Sequence, residues 1–135
     1  MSLKASILAF SIVLVMVAGC RSSAQADDLK STVEERVSNE REGDVSAVHG
    51  MTESDVVGSL GQPDDSRDFT MAECCHEFEI ELYNTYPPVD GTHDDVEIHE
   101  RHWKFDDHIL TVWFHEVEGE WTALDAHLWH KDTEF

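Results

Sequence analysis

The stretch Gly50-Met51-Thr52-Glu53-Ser54-Asp55-Val56-Val57-Gly58-Ser59-Leu60-Gly61-Gln62-Pro63 contains a short helix with its start and stop signals in place. Thr52 is a good N-cap, because its hydroxyl can accept from a free N–H of the first turn. Asp55 stands where the capping box places its acid. Met51 before the cap and Val56 inside the helix have the spacing of a hydrophobic staple. Val56, Val57 and Leu60 form one apolar face. Gly61 occupies the position where a left-handed residue closes a helix, and Pro63 blocks continuation. Gly58 inside so short a helix costs about 1 kcal/mol relative to alanine, which suggests close approach to a neighbouring element.

Upstream, Leu29, Val33 and Val37 recur at i, i+4 and i+8, with Asp27 or Asp28 as cap and Gly43 as stop. The apolar stripe is narrow, so this helix needs a surface to lie on. Downstream, residues 98–105, 109–117 and 121–129 are three runs rich in β-branched and aromatic residues. Asp106-Asp107-His108 and Glu118-Gly119-Glu120 join them, and connections this short force antiparallel neighbours. The fold class is therefore α+β: two N-terminal helices on one face of a small antiparallel meander sheet of three to four strands. The segment 64–95 is less decisive. Phe78, Ile80 and Leu82 alternate with Glu77, Glu79 and Glu81, which favours a strand. Met71, Cys75, Phe78 and Leu82 also fall at helical spacing, and Thr70 with Glu73 can form a capping box.

The first residues read as an export signal. Lys4 precedes an apolar run over 5–18, too short to cross a bilayer, which needs roughly 20 apolar residues. Its end, Val17-Ala18-Gly19-Cys20, resembles a bacterial lipobox, which implies cleavage before Cys20 and acylation of its thiol, as with palmitate. The expected organisation is a lipoprotein signal peptide over 1–19, a lipidated tether over 20–26 and one domain over 27–135. In lipoproteins of this kind an Asp after the cysteine favours the inner membrane; here Arg21 follows, which implies an outer-membrane, periplasm-facing location in a diderm cell.

The net charge is −20, and removing the leader takes away Lys4 and no acid. So negative a chain does not suit nucleic acid or anionic lipid, both of which select basic surfaces. Cys74 and Cys75 are neighbours in an oxidising compartment. Buried thiols are the favoured reading, with a vicinal disulfide or an intermolecular link as alternatives.

Nine histidines in an acidic chain raise the question of a metal. Cys74-Cys75-His76 lacks the usual zinc-ligand spacing, and His99 and His102 point to opposite faces of a strand. No residue is assigned as a metal ligand and no cofactor is expected. There is no Gly-x-Ser-x-Gly, no His-Glu-x-x-His and no phosphate-cradling glycine loop, so no catalytic residue, small-molecule substrate or enzyme activity is expected.

The tryptophans carry more. Strand alternation puts Leu110, Val112 and Phe114 with Leu124, Ala126 and Leu128 on one face, suited to covering helices. It puts Trp113, His115, Trp121, Asp125, His127 and Trp129 on the other. An open sheet should be mostly polar there. Trp113, His115, Trp121, His127 and Trp129 are therefore a candidate protein-binding surface, unless residues 69–86 or the first helix cover them.

Taken together, Gly50, Met51, Thr52, Val56, Leu60, Gly61 and Pro63, a later Trp103-x-Phe105 and Leu110-x-Val112-x-Phe114, behind a lipobox, resemble the SmpA/OmlA lipoproteins, the BamE-like family. The resemblance covers the lipobox, 50–63 and about 103–121. It implies helices packed on one face of an antiparallel sheet, a fold also seen in β-lactamase-inhibitor proteins. It further implies a lipid-anchored envelope protein whose partner is another envelope protein, as an accessory or scaffold subunit of outer-membrane β-barrel assembly. The long acidic segment 64–95 and the strongly negative surface depart from the family pattern. Two other functions stay open: an inhibitor-like module for a secreted enzyme, and a periplasmic metal-binding protein.

Overall fold

The computed structural model of the chain describes residues 23–134. The signal segment, Cys20 and the start of the tether lie outside the described residues. The fold is α+β. Helix α1 (Ser23–Ser38) leads into β1 (Gly43–Asp44), a 3-10 turn (Ser46–Val48), α2 (Glu53–Leu60) and β2 (Asp65–Thr70). Two further 3-10 segments (Met71–Glu73 and Glu77–Asn84) precede β3 (Glu97–Phe105), β4 (His108–Val117) and β5 (Glu120–His130). The sheet is antiparallel with five strands in the order β1-β5-β4-β3-β2. The expected meander forms its centre; β1 and β2 extend it at the two edges beyond the three to four strands anticipated.

α2 follows its sequence signals. Thr52 Oγ1 accepts from Asp55 N–H at 3.1 Å, and Gly61 closes the helix at φ 83°. The closing carbonyl of Gly61 then accepts from Trp103 Nε1 at 2.9 Å, which ties the helix end to β3. Gly50, at φ 78°, donates to Ala123 O at 2.9 Å, and Ala123 N–H donates to Met51 O at 2.7 Å. The lead-in to α2 is thus hydrogen-bonded to β5. Gly58 differs from expectation: a Cβ there meets nothing within 4 Å, so no close approach explains it.

α1 is already helical at Ser23, ahead of the expected Asp caps, and it ends at Ser38 rather than at Gly43. Gly43 instead opens β1. Arg36 bridges the two elements, donating to the carbonyls of Asp44 (2.5 Å), Glu42 (3.1 Å) and Arg41 (3.3 Å). Leu29 and Val33 of α1 and Val56 of α2 are buried against Trp103, Leu110, Val112, Phe114, Ala126 and Leu128, which is the main core.

A β-bulge corrects the face assignment. Trp113 pairs with Asp125 but Phe114 pairs with Ala123, so Leu124 is the extra residue on β5. Because side chains alternate with period two, one extra residue exchanges the faces on its N-terminal side. Trp121 and Ala123 therefore pack with the helices, and Leu124 joins the opposite face. The expected strand over 77–82 is a 3-10 helix. It lies across that opposite face with Leu82 buried beside Phe69, Met71, Ile98 and Trp113. The Thr70–Glu73 box does form, with Thr70 N–H donating to Glu73 Oε2 at 3.0 Å. The favoured reading of Cys74 and Cys75 as thiols is corrected: the two are bonded to each other, across a cis peptide bond.

Two substitutions test this account of α2. Gly58→Ala should raise unfolding stability by about 0.5–1 kcal/mol, since helix propensity improves and no neighbour is displaced. Thr52→Ala should lower it by about 1 kcal/mol through loss of the cap. Urea midpoints measure both, and a destabilised Gly58→Ala would refute the open environment assigned to it.

Candidate functional site: a half-covered tryptophan groove

The sheet face opposite the helices is partly roofed. The 3-10 helix Glu77–Asn84 crosses it and seals Trp113, which is 2% exposed. Phe78 sits between two tryptophans, 6.2 Å from the Trp113 ring centre and 5.0 Å from that of Trp129. Beyond the roof the face opens into a groove of about 180 Å³ lined by Phe78, Ile80, Trp113, His127 and Trp129, with Glu77 and Glu81 on its rim. Ile80 is 58% exposed, one of the large apolar side chains left most open to solvent among the described residues. Residues 78–82 alternate in sequence, yet the 3-10 turn buries Glu79 and Leu82, three positions apart, and turns Ile80 outward.

Beneath the roof lies a buried polar network. Glu79 and Glu100 are 0% and 2% exposed. Arg67 Nη1 stands 2.6 Å from Glu79 Oε1 and 3.7 Å from Glu100 Oε1, so one guanidinium serves two buried carboxylates. Its head also lies over the Phe69 ring, 4.3 Å from the centroid. Glu100 Oε2 accepts from Trp113 Nε1 at 2.7 Å, and Glu100 Oε1 lies 3.0 Å from His102 Nε2. His102 Nδ1 is 2.8 Å from the Thr111 hydroxyl. The second oxygen of Glu79 accepts from His76 N–H at 3.0 Å, which fixes the start of the 3-10 helix. Burial pushes the Glu100 carboxyl upward, but hydrogen bonds from His102 and Trp113 and the charges of His102 and Arg67 outweigh it. The group is held below the usual carboxylate range, and it stays ionised.

The far end of the roof is fastened by Tyr86, whose hydroxyl lies 2.6 Å from His115 Nδ1. Burial raises the Tyr86 phenol and lowers the His115 imidazole, so both neutral forms are favoured. A neutral imidazole can accept the Tyr86 proton at Nδ1; an imidazolium cannot.

The five residues expected on one binding face are thus divided. His127 and Trp129 line the groove, and Trp113 forms its buried floor. His115 is engaged by Tyr86. Trp121 is on the helix side, stacked on His99 at 3.5 Å; His99 in turn contacts Glu53 of α2 at 2.8 Å. His99 and His102 do stand on opposite faces, as alternation predicts. Phe78, Ile80 and the acids Glu77 and Glu81 are groove residues that the strand reading of 77–82 could not place.

Three predictions follow from the roof. His115 holds its proton less well folded than unfolded, so its contribution to stability is intact above about pH 6.5 and lost as pH falls from there through the folded value. Urea unfolding between about pH 7.5 and 5.5 should show wild type weakening over that range and His115→Gln weakening less. Glu100 acts in a lower window, its contribution being lost as pH falls from about 4.5 through its depressed folded value. Arg67→Met should cost about 3 kcal/mol, because it strands two buried carboxylates; restoring part of that loss with Glu79→Gln in the same chain checks the cause.

No family model, curated protein or solved structure matches this chain.

Proposed function

We propose that this chain is a lipid-anchored, non-enzymatic envelope protein that binds another protein, of the SmpA/OmlA type. Cys20 is the anchor, on the outer-membrane face toward the periplasm, and the Trp129 groove is the docking point. The observation that carries the docking reading is the groove itself: aromatic walls from Phe78 and Trp129, an exposed Ile80 at its lip and an acidic rim of Glu77 and Glu81. Aromatic anchors beside an open apolar lip are the composition of interface hot spots. Glu77 and Glu81 favour a partner that brings basic residues alongside an apolar one. By the resemblance of 50–63 and 103–121, that partner is outer-membrane β-barrel assembly machinery, which the protein would serve as an accessory or scaffold subunit.

The roof changes how docking works relative to an open sheet. Trp113 supports the groove from below and does not reach the partner, so its removal would damage the fold as well as the surface. The informative variants are Trp129→Ala and Ile80→Glu. Each should abolish crosslinking and capture of the partner from intact cells while leaving far-UV circular dichroism unchanged; undiminished capture would sink the groove as the docking point.

Anchoring is tested separately. Each buried methylene of an acyl chain contributes about 0.8 kcal/mol, and stable attachment takes more than one chain. Cys20→Ala should move the protein from the membrane to the soluble periplasmic fraction. Unchanged membrane partition, or a mature N-terminus elsewhere than Cys20, would refute the lipid anchor.

A further inference from the structure

At the edge of the sheet remote from β2, the β5 bulge and a break in the β1 ladder coincide. Val45 N–H still bonds Ala126 O at 2.9 Å, and pairing resumes where Gly50 N–H bonds Ala123 O. Between those two points residues 46–49 leave the edge, and Leu124 is the extra residue on the β5 side. The excursion brings His49 over the sheet edge. Its Nε2 lies 2.8 Å from Asp44 Oδ1 and 3.4 Å from Asp125 Oδ1. One imidazole and two carboxylates thus converge from three separate elements, with their donor atoms within 4.8 Å of one another.

The geometry points to a binding site for a borderline divalent transition metal, Zn²⁺ first, held by Asp44, His49 and Asp125. Zinc bonds imidazole nitrogen and carboxylate oxygen at about 2.0–2.2 Å, so tetrahedral donors stand about 3.3–3.5 Å apart. The His49–Asp125 separation already meets that spacing. The His49–Asp44 pair opens by a fraction of an ångström when an ion replaces the shared proton. An imidazole among the ligands selects against Ca²⁺ and Mg²⁺, which take oxygen donors. Two carboxylates neutralise the dication, and water completes the shell.

The ligands are also held from behind. The Arg36 guanidinium fixes the Asp44 carbonyl. Asp125 Oδ1 accepts from Ala126 N–H at 2.8 Å, orienting its carboxylate. A second three-donor group among the described residues, Cys74, Cys75 and Glu79, is a poorer candidate: its sulfurs are bonded to each other and its carboxylate is engaged by Arg67.

The test is titration of the tag-free, chelator-stripped protein with ZnSO₄ by calorimetry, with thermal unfolding in parallel. One equivalent of Zn²⁺ should bind per chain and raise Tm. His49→Gln and Asp125→Asn should each weaken binding by more than about tenfold, since losing even an outer-shell partner of a metal ligand costs about 10–100-fold. Asp44 and His49 are exposed and Asp125 is half-buried at the sheet edge, so far-UV circular dichroism of the variants should match wild type. His99→Gln, which alters the comparable His99–Glu53 contact on the other face, should bind as wild type. The site is overturned by absence of saturable binding, by binding that survives His49→Gln, or by equal loss in His99→Gln.

Discussion

Glu100 is the constraint around which the second half of this fold is arranged. It lies at the middle of β3, on the sheet face away from the helices, and it is buried. An ionised carboxylate there costs several kcal/mol unless every lone pair is engaged and a countercharge stands close. The structure provides Trp113 from β4, His102 from β3 itself and Arg67 from β2. Each partner comes with a packing consequence. Trp113 becomes the floor of the second core. Arg67 requires β2 at the edge, in the register that pairs it with Glu100. The guanidinium, having one acid, takes a second, Glu79, and thereby draws the 3-10 helix down as a roof.

That chain of requirements explains why β4 is buried on both faces. Helices α1 and α2 cover one side through apolar contact, and residues 71–86 cover the other through a mixture of apolar and ionic contact. The two coverings differ in kind. The helical side is held by hydrophobic burial, which changes little with pH or salt. The roof is fastened by the Arg67–Glu79 ion pair and by Tyr86–His115, and the second depends on the protonation state of His115. Local opening should therefore begin on the roof, since its fastenings are the more easily undone. The groove beside Trp129 sits where that roof ends.

The sequence was informative wherever a signal was local. The caps of α2 are side chain to backbone contacts over three residues, and the turn at Glu118-Gly119 needs only positive φ at adjacent positions, 52° and 83° here. The central strands are marked by their β-branched and aromatic content and by the short connections between them. What stayed hidden depended on distant partners. β2 reads Asp-Ser-Arg-Asp-Phe-Thr, with Phe69 its buried side chain, so it carries no apolar alternation and owes its existence to β3. Residues 77–84 look like a strand because acid and apolar residues alternate. They form a 3-10 helix because Arg67 makes Glu79 a buried residue, reversing what its charge implies. Trp121 lies on the helix side for one reason: a bulge is a single residue without a compositional mark, and it exchanges the faces before it.

The same bulge links the two edges of function proposed for this chain. By exchanging faces at Leu124 it sends Trp121 to the helices, where it stacks on His99, and leaves Trp129 and His127 on the groove side. On the other edge of β5, where residues 46–49 interrupt the β1 ladder, Asp125 stands against His49. Asp125 and His127 are two residues apart on one strand face, so the carboxylate cluster and the groove share β5 and adjoin along it. A cation held by Asp44, His49 and Asp125 would pin β1 to β5 and lower the negative potential beside His127. An acid-rimmed groove attracts a basic partner less strongly when a dication sits at its end. If the proposed site and the proposed docking point are both used, metal occupancy and partner docking would be coupled through charge, in the direction that each weakens the other, without any change of backbone.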